Sequence, residues 1–130
     1  MNPQEFIKLL NEARELMAQE KFAQALVILE NLKIGDRNSE HDYNYNLIHQ
    51  LYQLDSNCKS AYHQEIILEI ITNIPITKNS ISFIELNKIL SDEKSLNISE
   101  EILRREVELL ILRNMVSGKI EKNQLILSHH

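Results

Sequence analysis

The chain closes on the stretch V-S-G-K-I-E-K-N-Q-L-I-L-S, in which residues 117–120 and 124–128 alternate around the interruption Glu121, Lys122, Asn123. Alternation with a period of two reads as two short strands joined by a turn at Lys122-Asn123. A two-stranded hairpin is marginal by itself in water. It needs a third strand and an apolar layer to lie on. Most of the preceding chain has helical spacing, and Gly and Pro are scarce, two of each in 130 residues. The sequence therefore predicts a mainly α chain whose small β-hairpin closes an open side of a helical body.

Pro3 suits a first helical turn, where its missing N–H has no partner to lose, and Asn2 precedes it as a cap. Phe6, Ile7, Leu10, Ala13, Leu16 and Met17 then follow the spacing of one helical face. A corner at Gln19, Glu20 and Lys21 leads to a second face of Phe22, Ala25, Leu26, Ile28, Leu29 and Leu32, expected to stop near Gly35. So short a turn predicts an antiparallel pair. The stretch AQEKFAQALVILENL resembles the second half of a tetratricopeptide repeat, without a second copy at a fixed period; an ordinary helical hairpin accounts for the same pattern. Asp36 to Asp42 reads as a loop, Asp42 to Asp55 as a third helix, Ser56 to Lys59 as a break, and Ser60 to Asn73 as a fourth helix ended by Pro75.

Beyond Pro75 the rhythm changes. Ile76 to Asn79 is a linker and Ile81 a very short strand. Ser82 and Glu85 have the spacing of a capping box. The helix they open carries Phe83, Leu86, Ile89 and Leu90 inward and is expected to end at Leu90. Ser91 to Asn97 is a polar turn. Ser99 caps the next helix, with Glu100 and Glu101 at its positive end and Ile102, Leu103, Val107, Leu110, Ile111 and Met115 as burial candidates. Val116, Ile120, Leu125 and Leu127 are the hairpin's apolar contacts, and the hairpin pairs with the strand at Ile81. Helix, strand, helix, helix, hairpin is the order of a winged helix. The expected organisation is a helical, repeat-like segment at 1–59 made of antiparallel hairpins, then a winged-helix domain at 60–130 with the hairpin as its wing.

ISFIELNKIL and NISEEILRREVELLILRNMVSGKIEKNQLIL resemble the winged-helix half of PCI domains, found in scaffold subunits of the proteasome lid, the signalosome and the translation-initiation scaffold. Ile81, Ser82, Phe83 and Leu86 are similar to the opening of the family's second helix, and Ile98, Ser99, Glu100 and Glu101 to that of its third. Val116, Gly118 and Ile120 are similar to its entry into the wing, with Asn114 where a glycine is common. The resemblance covers Ile81 to Leu127. The helical part is shorter than in full-size lid subunits, and the turn Asp92 to Leu96 is extended. The resemblance implies a non-catalytic scaffold module that assembles with copies of itself or related subunits through its winged helix.

Charge and chemistry agree with a binding role. Residues 1–75 carry 6 basic and 11 acidic side chains and residues 76–130 carry 8 of each, so neither part has the basic excess that drives nucleic-acid affinity. Phosphate loops need clustered glycines, and the chain has only Gly35 and Gly118. His41, His49 and His63 are scattered without metal-ligand spacing. A single cysteine, Cys58, forms no internal disulfide and points to a reducing compartment. No apolar run reaches the ~18 residues of a membrane span, and the first residues lack a signal layout. The expectations are a cytoplasmic protein, no enzyme activity, no catalytic residue, no metal and no cofactor. His129 and His130 are assigned no function.

The partner surface is expected on the third helix of the winged unit and on the wing: Arg104, Arg105, Glu108, Lys119, Lys122, Gln124, Ile126 and Ser128. The wing strand Gln124 to Ser128 is read as an open edge able to extend a sheet into a partner. Glu101, Glu106 and Glu108 are read as surface acids interleaved with the arginines, which favours protein over nucleic acid. Leu109 and Leu112 add apolar character beyond one core face, with packing inside the chain as the simpler use. Two other readings remain. One is a DNA-binding regulator touching DNA through Arg104, Arg105, Lys119 and Lys122; the weaker is an adaptor of the endosomal-sorting type.

Overall fold

The structure, a computed structural model, describes residues 2–37 and 45–128. The described residues form five helices and a small antiparallel sheet of three strands. They divide into two compact units, with the boundary between Tyr62 and His63.

The first unit is helical. Helix α1 (Pro3–Ala18) opens with Asn2 Oδ1 accepting the Glu5 amide at 2.8 Å. It ends at a left-handed Glu20, φ 60°, where the Lys21 amide closes back on the Leu16 carbonyl at 2.8 Å. Helix α2 (Phe22–Arg37) follows. Phe6, Leu10 and Ala13 of α1 meet Ala25, Leu29 and Leu32 of α2 and Leu51 and Cys58 further on, all at most 1% exposed. Gly35 does not stop α2. It sits buried inside the last turn without positive φ. Of the expected loop at Asp36 to Asp42, Asp36 and Arg37 are helical; the remainder, the expected start of the third helix at Asp42 and His41 lie outside the described residues.

The expected break at Ser56 to Lys59 is absent. One helix, α3, runs unbroken over Tyr45–Thr72. Ser-Asn-Cys-Lys contains neither Gly nor Pro, the residues that end helices sterically. Cys58 is a core residue there, and Lys59 pairs with Asp55 one turn back at 3.3 Å.

In the second unit, strand β1 (Ser80–Ser82) leads into helix α4 (Phe83–Lys94). Ser82 Oγ accepts the Glu85 amide at 3.1 Å, while the Glu85 carboxylate takes Lys78 Nζ at 2.6 Å. Helix α4 continues four residues past Leu90. Its last turn is polar but helix-compatible, is tied to α3 by Lys94 and Glu69 at 2.8 Å, and stops at a left-handed Ser95. The extended turn at Asp92 to Leu96 is thus mostly helix. Helix α5 (Glu100–Leu112) is capped by Ser99 Oγ on the Ile102 amide at 3.1 Å.

Strands β2 (Gly118–Glu121) and β3 (Gln124–Leu127) turn at Lys122, φ 54°. The strand order is β1-β3-β2. Ile81 opposes Leu125, which opposes Ile120, so one face presents an apolar row. Ser80, Ile126 and Lys119, with Ser82, Gln124 and Glu121, fill the other. Leu125, Ile81, Val116, Phe83, Leu86, Leu90, Leu103, Val107, Leu110 and Ile67 are each at most 6% exposed. Among the described residues no helix is long and apolar enough to cross a membrane.

Candidate interaction surface

Helix α5 turns Leu103, Val107 and Leu110 inward and leaves Glu101, Arg105, Glu108, Leu109 and Leu112 outside. Leu112 is 73% exposed and Leu109 37%. These two leucines, three residues apart on one face, are not taken up by packing inside the second unit. Ile102 and Ile111 are half-buried and Met115 is exposed.

Arg104, Arg105 and Lys119 are engaged. The Arg104 guanidinium donates to the Lys122 carbonyl oxygen and stands 5.4 Å from the centre of the Phe83 ring, in cation–π range. The Phe83 amide reaches the Asn123 carbonyl at 2.9 Å. Arg104 therefore clasps the hairpin turn to the start of α4. Lys119 pairs with Glu121 on the same strand at 3.0 Å, and Arg105 with Glu106 at 3.1 Å. Glu108 is exposed and has no ion pair among the described residues. Lys122 holds the turn with its backbone, and its side chain is exposed.

Glu106 is the residue that sequence reasoning misplaced. It is fully buried, 0% exposed. Its Oε2 accepts from Gln64 Nε2 at 2.9 Å, and Gln64 Oε1 accepts from Arg113, so a polar chain ties α3 to α5. Position 106 lies three residues past Leu103 and four before Leu110, inside the apolar stripe. That spacing was the available signal.

The open-edge role expected of Gln124 to Ser128 is overturned by the strand order. β3 is the central strand, paired with β1 on one side and β2 on the other. Gln124 and Ser128 are exposed and Ile126 is half-buried, so only side chains are offered there. The outer strand is β2.

A second polar cluster lies in the first unit. Asp55 Oδ2 takes Lys33 Nζ at 3.0 Å and Lys59 Nζ at 3.3 Å, and Lys33 also meets Glu30 at 3.4 Å. Asp55 Oδ1 is buried without a hydrogen-bond partner. Burial presses the Lys33 pKa down, and the hydrogen bond to Asp55, the contact with Lys59 and the charges of Asp55 and Glu30 together more than offset it, leaving Lys33 above the ordinary lysine value. Among the described residues no group of three or more His, Cys, Asp or Glu is placed to hold a metal ion.

Nearby, burial, and secondarily the Asp55 charge, push the Cys58 thiol up to about 11; the thiol is free and buried. Iodoacetamide at pH 8 is expected to label Cys58 at least about 100-fold more slowly in the native protein than in urea, because the thiolate is the nucleophile. Equal rates would mean that the site opens freely.

Comparison with protein-family models, with curated proteins and with solved structures gives no match for this chain.

Proposed function

We propose that this chain is a non-catalytic protein-interaction module in which β1, α4, α5 and the β2–β3 hairpin act as a winged helix, similar to a minimal PCI domain. Its contact surface is the outer face of α5 together with the outer strand of the hairpin. One observation carries this reading: on the surface where a winged helix meets DNA, Arg104 is bound to the hairpin's own backbone and Arg105 and Lys119 face acids within 3.1 Å. Leu109 and Leu112 stand exposed on the same helix. A phosphate-binding face needs uncommitted cations; a protein-binding face favours exposed apolar anchors within a mixed polar rim. The cytoplasmic setting expected of a single-cysteine chain suits such a module.

Fluorescence anisotropy with a random DNA duplex tests the reading. At about 50 mM salt, where backbone contacts are strong, no saturable binding is expected up to about 100 μM protein. Micromolar binding that is lost at about 200 mM salt and in Lys122→Glu would replace this reading with the regulator.

A further inference from the structure

We propose that β2 pairs antiparallel with β2 of a second copy of this chain, about a two-fold axis at Ile120, merging two three-stranded sheets into one. The inference rests on the reading above and names its partner.

Ladder parity decides which groups are free. The Leu127 amide bonds the Asn79 carbonyl at 2.8 Å and the Phe83 amide bonds Asn123 at 2.9 Å, so odd-numbered residues of β3 face β1. The Ser128 amide bonds Ser117 at 3.0 Å on the opposite side. In antiparallel strands alternate residues bond to the same neighbour. With Lys119 opposite Ile126 and Glu121 opposite Gln124, Gly118 and Ile120 turn their N–H and C=O groups to the open edge.

Charge selects the register. Lys119 and Glu121 share one sheet face, are 68% and 57% exposed in their side chains, and already pair at 3.0 Å. Side chains directly opposite across an antiparallel pair meet on one face. A two-fold at Lys119 sets lysine against lysine, and one at Glu121 sets glutamate against glutamate. A two-fold at Ile120 sets each Lys119 opposite the other copy's Glu121, giving four alternating charges, and bonds Ile120 to Ile120 through their free backbone groups. Edge charges normally block association; here they reject the two like-charge registers and favour the one that sets opposite charges against each other. The contact is small, so the dimer is weak and reversible.

Light scattering is expected to give 15.2 kDa when dilute, rising toward twice that mass near about 0.5 mM, in the range of weak affinities. Glu121→Lys is expected to hold the mass at the monomer value, and Lys119→Glu combined with Glu121→Lys to restore the rise. A covalent test reads the register directly. Lys119 and Glu121 of the other copy form a non-hydrogen-bonded pair, whose close spacing suits a disulfide. Mixed and oxidised, Lys119→Cys and Glu121→Cys should give at least about ten times the covalent dimer of either variant alone, with the buried Cys58 untouched. A constant monomer mass, or equal crosslinking in single and mixed samples, overturns the proposal. Failure here with no DNA binding leaves the interaction-module reading standing; salt-sensitive DNA binding removes that reading.

Discussion

Asp55→Ala is expected to cost about 3–5 kcal/mol of stability, the usual effect of removing one partner from a buried ion pair. The Asp55 and Lys33 side chains are 8% and 10% exposed. Without the carboxylate, the Lys33 ammonium keeps Glu30, at 3.4 Å and 48% exposed, where solvent weakens the attraction, and the Tyr52 ring at 6.0 Å, at the limit of cation–π range. The loss is mostly the cost of an uncompensated charge, so removing both charges should recover most of it: Lys33→Met with Asp55→Leu is expected to unfold near the parent midpoint in urea. A single substitution costing under about 1 kcal/mol would mean the cluster is solvated. Lys33 also sets an alkaline limb. Because its folded pKa is raised, its contribution is complete below the unfolded value of about 10.4 and fades as pH rises through the folded one. The Cys58 contribution acts in the same direction, fading between an unfolded value of about 8.5 and about 11.

The local rules written in single residues were legible. Asn2, Ser82 and Ser99 each accept the amide three residues on, the corner fell at Glu20, and the hairpin turned at Lys122 and paired with Ile81 through Leu125. Helix ends without such a marker were not. Ser56 to Lys59 is polar, and polarity alone does not end a helix; burial of Cys58 and the Asp55–Lys59 pair keep it going. Ser91 to Lys94 extends α4 for the same reason. Gly35 shows the converse: a glycine suited to a C-terminal stop lies buried inside the last turn of α2.

The sequence located helix α5 and the hairpin along the chain but not the state of their side chains. Arg104 was read by its charge, yet its neighbours across the chain, Phe83 and the Lys122 carbonyl, depend on the tertiary fold. The alternation of Glu101, Glu106 and Glu108 with arginines points to a surface acid at 106; Gln64, its partner in the fold, lies 42 residues away. The strand order mattered most. Two alternating segments do not say which of them faces the third strand, and the pairing of β3 with β1 moves the open edge from Gln124–Ser128 to Gly118–Glu121.

Gly118→Val is expected to be among the most damaging single changes in the second unit, and the reason is space rather than backbone angle. Gly118 has no positive φ, but a Cβ built there falls 2.3 Å from the Ile126 carbonyl oxygen and 3.4 Å from its carbonyl carbon. Backbone atoms of a central strand cannot rotate aside as a side chain does. Either β2 separates from β3, or β3 shifts and disturbs Leu125, 0% exposed, against Ile81. Overpacking of this kind costs about 1–3 kcal/mol for one added methyl group, so Gly118→Ala should lower the melting temperature by about 3–10 °C and Gly118→Val by more. Lys119→Ala, one residue on with its side chain exposed, should change it by less than about 2 °C. Hydrogen exchange localises the damage: the Ser128 amide, bonded to Ser117, should lose protection in Gly118→Ala, while amides of α1 and α2, whose core is separate, should keep theirs. The same variant separates two uses of β2. If the strand detaches from β3, the self-pairing edge goes with it and the mass stays at 15.2 kDa at every concentration, even where the helical signal persists. Unchanged melting in Gly118→Val would mean that the hairpin is not held against the core in this register, and the edge argued from that register would fall with it.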